Sequence, residues 1–221
     1  MSADVVNEAE LTIRQAGDRA LLVEPSNRAE LLGFIDRLRD DPVAGVWDVL
    51  PAARTILITL RPGVDVAVMV SRLRAAFATV SEQTVIDVND GAAVEIPVHY
   101  DGADLAETAN LLGISEPELI ARHTAALWRC AFVGFAPGFG YLEASSGAEL
   151  MVPRRRQSRT AVPAGSVALA AGYSAIYPRS SPGGWRIIGR TTAPLWDVDR
   201  LEPALLRPGT RVRFTAVEIA A

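Results

Sequence analysis

Four short segments in the second half of the chain collect the residue types that could do chemistry. They are Phe132-Val133-Gly134-Phe135-Ala136-Pro137-Gly138-Phe139-Gly140-Tyr141-Leu142, Pro153-Arg154-Arg155-Arg156-Gln157-Ser158-Arg159, Val162-Pro163-Ala164-Gly165-Ser166-Val167 and Tyr177-Pro178-Arg179-Ser180-Ser181-Pro182-Gly183-Gly184-Trp185-Arg186. A loop such as Pro137-Gly138-Phe139-Gly140 presents backbone N–H groups with little side-chain bulk. It can approach a ligand closely or cradle an anion. Arginines close by can hold a carboxylate or phosphate through their fixed fork of donors. Pro182-Gly183-Gly184-Trp185 makes a tight turn followed by a flat aromatic wall. The same residues would also serve as plain barrel corners, with Trp185 in the core.

Other chemistries are weakly signalled. Ser166 and Ser174 lack the second glycine of a Gly-x-Ser-x-Gly elbow. There are two histidines. His99 lies in an expected strand. His123 lies on an expected helix, three residues after Ile120 and four before Leu127, so it faces inward, as a core residue or as a general base. No HExxH or CxxC spacing occurs, and no metal site is expected. Cys130, in an apolar run, is expected to be buried and inert.

Composition narrows the classes. The 221 residues are 49% hydrophobic and 22% charged, with net charge −4, which excludes a disordered chain. No apolar run approaches the ~18–20 residues of a spanning helix. The acidic start MSADVVNEAE carries no secretory signal pattern. A single cysteine permits no intrachain disulfide, and the cytoplasm is the expected compartment. All 22 basic residues are arginine. A Walker lysine, a Schiff-base lysine, a Ser-x-x-Lys nucleophile and a biotinylated lysine are therefore excluded on this chain. Residues 1–118 hold 20 acidic and 9 basic residues, and residues 119–221 hold 6 and 13. The asymmetry fits two units, the basic one facing a small anionic ligand or an acidic protein, or simple attraction between the halves. No RNA-binding signature accompanies the arginines, so no nucleic-acid partner is expected.

The elements that must position these residues are readable from periodicity. Leu11–Ile13 and Ala20–Val23 read as strands around a turn at Gly17-Asp18. Asn27-Arg28-Ala29-Glu30 is a capping box opening a helix with Leu31, Phe34, Ile35 and Leu38 on one face. Val46–Leu50 and Thr55–Thr59 are strand-like, Asp65 starts a second amphipathic helix, and Val85–Val88 is a further strand. This order predicts a small α+β sandwich over 1–90, with a boundary at Asn89-Asp90-Gly91. A strand over Val94–Tyr100 and two short helices follow, one from about Asp104 to Leu112 and one capped by Ser115-Glu116-Pro117-Glu118. Beyond Trp128 the helical period vanishes, and 9 of the 17 glycines fall between Gly134 and Gly189. This favours a mainly β, nearly closed barrel over 91–221.

These segments resemble the family of 5-oxoprolinase B subunits, also called allophanate hydrolase subunit 1 or KipI-like, which is similar to subdomains C and D of the urea carboxylase carboxyltransferase domain. The resemblance rests on His123-Thr124-Ala125-Ala126, Gly134–Leu142, Pro153-Arg154-Arg155, Val162–Val167 and Tyr177–Thr191. Gly17–Leu21 and Pro51–Thr55 match more loosely. One departure is Gln157-Ser158-Arg159, where the family usually has a proline before the arginine; a φ constraint beside Arg159 is lost.

The resemblance implies a small N-terminal α+β domain, a C-terminal cyclophilin-like barrel and a partner chain. That partner is the 5-oxoprolinase C subunit (allophanate hydrolase subunit 2-like), with a further subunit in the full enzyme. The implied reaction is ATP-dependent opening of 5-oxoproline to glutamate, with the isolated chain inactive. The absence of lysine and of a Walker motif points to ATP bound by, or shared with, a partner chain. On this basis Arg154, Arg159, Ser166 and His123 are the catalytic candidates. Pro137, Gly138, Phe139, Tyr141, Gly165, Tyr177, Gly184, Trp185 and Arg186 are the substrate-binding candidates. Two alternatives accompany the resemblance. One is an allophanate hydrolase or urea carboxylase-type half-enzyme, with biotin carried on another chain. The other is a KipI-like inhibitor that docks on a histidine kinase.

Overall fold

The computed structural model describes residues 11–80, 92–144 and 150–217, and the chain divides into two units, 1–89 and 90–221. In the first unit, β1 (Thr12–Gln15) and β2 (Ala20–Glu24) flank a turn in which Gly17 has φ of 79°. Helix α1 (Arg28–Asp40) starts at Asn27, whose side chain accepts the Glu30 N–H at 2.9 Å. Glu30 reaches back to the Ser26 N–H, one residue further than a capping box requires. β3 (Val46–Pro51), β4 (Ile56–Leu60) and α2 (Val66–Phe77), capped by Asp65, complete the described unit. The antiparallel sheet runs β1-β2-β4-β3. Ile56, Ile58 and Leu60 alternate inward from β4 and meet Leu31, Phe34, Met69 and Leu73 of the two helices in one apolar core. The expected strand over Val85–Val88 and the expected boundary at 89–91 lie outside the described residues.

The second unit begins with β5 (Val94–Val98), α3 (Leu105–Leu112) and α4 (Glu116–Ala125). Gly113, with φ of 69°, ends α3, and Ser115 caps α4 with Pro117 in its first turn. Then follow β6 (Trp128–Val133), β7 (Gly140–Ala144), β8 (Arg159–Val162), β9 (Ser166–Ala170), β10 (Tyr173–Ile176), β11 (Ser181–Gly183), β12 (Arg186–Arg190) and β13 (Arg211–Ala216). Seven of these strands form one sheet in the order β12-β9-β10-β7-β6-β13-β5, antiparallel except for the β5–β13 pair. β8 and β11 pair separately.

The two edges of the seven-stranded sheet meet. His99, just past β5, exchanges backbone hydrogen bonds of 2.9 and 2.8 Å with Arg190 of β12. Gly102 and Asp104 continue along β12, donating to the Ile188 and Ile187 carbonyls. A Cβ on Gly189 would lie 2.5 Å from the His99 carbonyl oxygen, and one on Gly102 would lie 2.3 Å from the Ile188 carbonyl carbon. Glycine is therefore required where the seam closes, and the sheet is nearly closed and barrel-like. Closure gives the strands two buried faces, which is why β9 is buried at every position. Val167, Leu169, Ile176 and Ile188 join the larger core with α3 and α4. Ala168, Ala170, Ala175 and Ile187 face a second, aromatic cluster.

Candidate functional site

The aromatic cluster sits on that second face. Phe139, immediately before β7, is its hub: ring centroids lie 5.1 Å from Tyr141, 5.3 Å from Tyr177 and 5.8 Å from Trp185, all edge-to-face. Tyr141 and Trp185 close the set at 5.6 Å. Burial pushes the Tyr141 and Tyr177 phenols up, so both are neutral donors at physiological pH. Phe135 lies at the edge, 58% exposed, with its ring 5.2 Å from Phe139. Its φ of 67° is a left-handed conformation that a bulky L-residue adopts only under constraint. Pro137 is exposed, while Gly138, with φ of 81°, lets the loop pass 3.0 Å from the Leu195 carbonyl oxygen, counted from the position of a Cβ.

The candidate arginines separate into different roles. The Arg154 guanidinium lies over the Trp185 ring, 5.9 Å from its centroid, exposed and with no carboxylate partner among the described residues. Arg159 instead makes a two-pronged pair with Asp104: Nη1 donates to Oδ2 and Nη2 to Oδ1, each at 2.8 Å. Arg155 Nη1 donates to Oδ1 of the same carboxylate, and the Ile187 N–H donates to Oδ2 at 2.8 Å. Burial pushes the Asp104 carboxyl up. The Arg159 hydrogen bond, the Ile187 N–H and the charges of Arg159 and Arg155 outweigh burial and hold it below the usual range. Arg186 is almost fully buried; its Nε donates to the Pro153 carbonyl at 2.9 Å, and its Nη1 lies 3.0 Å from Glu107 Oε1. Arg159 is thus tied into the framework and Arg186 is buried beside it, so of the candidate arginines Arg154 is the one that stands exposed with no carboxylate partner among the described residues.

Other candidates also take structural positions. His123 is fully buried in the larger core, stacked 4.4 Å from Phe214, with Nδ1 2.7 Å from Tyr100 Oη and Nε2 2.9 Å from Ser174 Oγ. Burial pushes its pKa down to about 3, so the ring is neutral. Ser174 is equally buried. Both ring nitrogens are thus satisfied inside the core, which gives His123 a structural position in place of the expected catalytic one. Ser166 donates its hydroxyl to the Pro163 carbonyl at 2.8 Å, closing a turn and leaving no free donor. A Cβ on Gly165 would lie 2.2 Å from the Thr191 carbonyl oxygen, so that glycine serves a close backbone approach. The Gly184 carbonyl accepts the Arg155 N–H at 2.8 Å, joining the arginine loop to the turn before Trp185. Cys130 is buried, its thiol pushed up to about 12 by burial against a smaller opposing effect of Arg129.

The structure therefore brings Arg154, Phe139, Tyr141, Tyr177 and Trp185 together and sets His123 and Ser166 apart. Sequence reasoning missed Asp104, Glu107 and Phe135. Asp104 reads as an ordinary helix start; only its missing side-chain cap in the fold marks it. Phe135 stands inside the Gly134–Leu142 segment, where nothing but its backbone angle distinguishes it. Among the described residues no group of three or more His, Cys, Asp or Glu side chains is placed to hold a metal. No described helix is long and apolar enough to cross a membrane.

Residues 11–206 match the family described as carboxyltransferase domain, subdomain C and D. The 5-oxoprolinase B subunit of Escherichia coli O157:H7 is 38% identical over 182 residues, covering 80% of this chain and 80% of that protein. The solved structure of TTHA0988 superposes with a TM-score of 0.71 at 32% identity over 92% of this chain, which spans 40% of TTHA0988. The K. lactis urea amidolyase shares the fold, with a TM-score of 0.68 at 19% identity over 95% of this chain and 15% of that enzyme. The chain belongs to the carboxyltransferase-domain subdomain C and D family, among the proteins that resemble the B subunit of 5-oxoprolinase.

Proposed function

We propose that this chain is the B subunit of a heteromeric, ATP-dependent lactam hydrolase that opens 5-oxoproline to glutamate and works only with its partner subunits. The observation that carries the reading is Arg154, a cation held against Trp185 beside an aromatic floor, with its guanidinium uncommitted. A small ring bearing a carboxylate suits that surface: Arg154 takes the carboxylate and the exposed Phe135 ring flanks the lactam, while Trp185, buried in the aromatic cluster, backs Arg154. A lactam is a resonance-stabilised amide, and ATP supplies the phosphoryl group that makes its carbon electrophilic. This chain's residues bind and orient the substrate. ATP is bound by, or shared with, a partner chain on this reading, since this chain has no lysine for a Walker loop. The partners are a chain like the 5-oxoprolinase C subunit and a further subunit of the same enzyme. On the same reading the chain is two domains, a 1–90 sandwich and a 91–221 cyclophilin-like barrel.

The test is 5-oxoproline hydrolysis with and without ATP, by this chain alone and after copurification with the chains its neighbouring genes encode. Glutamate formed only by the complex, and only with ATP, is the expected result. No turnover by a well-formed complex overturns it. The match of residues 11–206 to a carboxyltransferase domain favours a second reading, a half-enzyme served by a biotin carrier on another chain. Under that reading the same complex turns over urea or allophanate instead.

A further inference from the structure

The two carboxylates at the start of α3, Asp104 at the N-cap and Glu107 in the first turn, hold their arginines very differently. Asp104 is saturated: its two oxygens accept four hydrogen bonds, about the capacity of a carboxylate. Glu107, three residues on and so on the same helix face, is 58% exposed and holds loosely. Its Oε1 is 3.0 Å from Arg186 Nη1 without hydrogen-bond alignment, and its Oε2 is 3.8 Å from Arg155 Nη1. Beneath it, Arg186 Nη1 and Arg155 Nε are buried donors with no hydrogen-bond acceptor among the described residues. Arg186 itself is more than nine-tenths buried. A buried donor left without an acceptor keeps its desolvation cost uncompensated. Charge points the same way, since three guanidiniums (Arg155, Arg159, Arg186) face two carboxylates (Asp104, Glu107).

We propose that Arg155 and Arg186 form an oxyanion-binding subsite that the Glu107 carboxylate occupies as a displaceable stand-in. The ligand is a carboxylate or phosphoryl group, whose oxygens can align with both orphaned donors where the Glu107 side chain, anchored to α3, does not. An incoming anion displaces Glu107 into solvent, which its exposure allows. The subsite does not use Arg154 and does not depend on the lactam reading, because it is tested by binding alone.

The experiment titrates the full chain with inorganic phosphate and, separately, with acetate, following affinity by calorimetry and the Arg155 Nε–Hε signal by NMR. Glu107→Gln keeps the side chain's size and removes the competing charge. It is expected to tighten binding of one of the two anions by about tenfold or more, equivalent to about 1.4 kcal/mol, and to leave the Arg155 signal moving on titration. Glu118→Gln, the same charge change on α4, is expected to change affinity by less than about twofold at physiological salt. Adding Arg154→Ala to Glu107→Gln is expected to leave the tightened binding in place. A phosphate preference identifies a phosphoryl ligand, and an acetate preference identifies a carboxylate. The proposal is overturned if Glu107→Gln behaves like Glu118→Gln, if the Arg155 signal does not move, or if Arg154→Ala abolishes the binding.

Discussion

Asp104 and Arg159, 55 residues apart, meet fork to fork through two 2.8 Å hydrogen bonds, with the Asp104 side chain 2% exposed and that of Arg159 24% exposed. The same carboxylate accepts the Ile187 N–H, so one side chain at the start of α3 fixes both the arginine loop and the start of β12. Those two segments carry Arg154 and Trp185. The open face of the site is therefore built on an ion pair with a buried carboxylate that takes no part in it.

Asp104→Asn is expected to destabilise the chain by about 3 kcal/mol, because it leaves guanidiniums partly buried without their counter-charge. The carboxyl's folded pKa lies below its unfolded value of about 3.9. Its contribution is then complete above about pH 4 and lost as pH falls through the lower folded value. Urea denaturation of wild type and variant between pH 2 and 7 should show a constant difference that narrows only at the acid end. A difference that already narrows above pH 5 would contradict this.

Arg154→Ala should lower turnover of the assembled complex by about 100-fold or more if that guanidinium meets the reacting or anchoring anion. An exposed cation–π contact is worth about 0.5–1 kcal/mol, so the melting temperature should move by no more than a few degrees. Full activity with an intact fold would take Arg154 out of the mechanism.

Phe135→Gly separates strain from recognition. The left-handed backbone at Phe135 costs an L-residue about 1–2 kcal/mol, which glycine avoids. Phe135→Gly should be as stable as wild type or more so, whereas Phe135→Ala keeps the strain and should not be stabilised. Both should raise KM for the substrate, since both remove the exposed ring. Equal loss of stability in the two variants would argue against strain at this position.

Stability should also fall on mild acidification because of His123. Its folded pKa is about 3, whereas an unfolded histidine titrates near 6.5. Between those values the unfolded chain binds a proton that the folded chain refuses. The stability held above about pH 6.5 is lost as pH falls, at up to about 1.4 kcal/mol per pH unit. His123→Gln should be less stable at pH 7 yet flatter between pH 7 and 5. Parallel pH profiles for wild type and variant would mean that the ring is not kept neutral by burial.

Much of the local structure was readable from contiguous residues. Asn27, Asp65 and Ser115 each cap the helix that follows, and Gly113 ends α3, because caps and turns are interactions over three or four residues. The absence of lysine removed whole classes of chemistry without reference to any fold. The Gly134–Leu142, Pro153–Arg159 and Tyr177–Arg186 segments were likewise visible as the aromatic and arginine-bearing parts of the candidate site. Which arginines would remain open was not visible. Arg154 and Arg159 are five residues apart and alike in type, and only the return of the chain at Asp104 commits one and leaves the other. His123 has the same spacing whether it is a base or a core residue, and Tyr100 and Ser174, 23 and 51 residues away, decide between them. The seam between His99 and Arg190 is of the same kind. Pairings over such separations depend on strand register and sheet closure, which no local pattern encodes, and the character of each charged group follows from the burial they create.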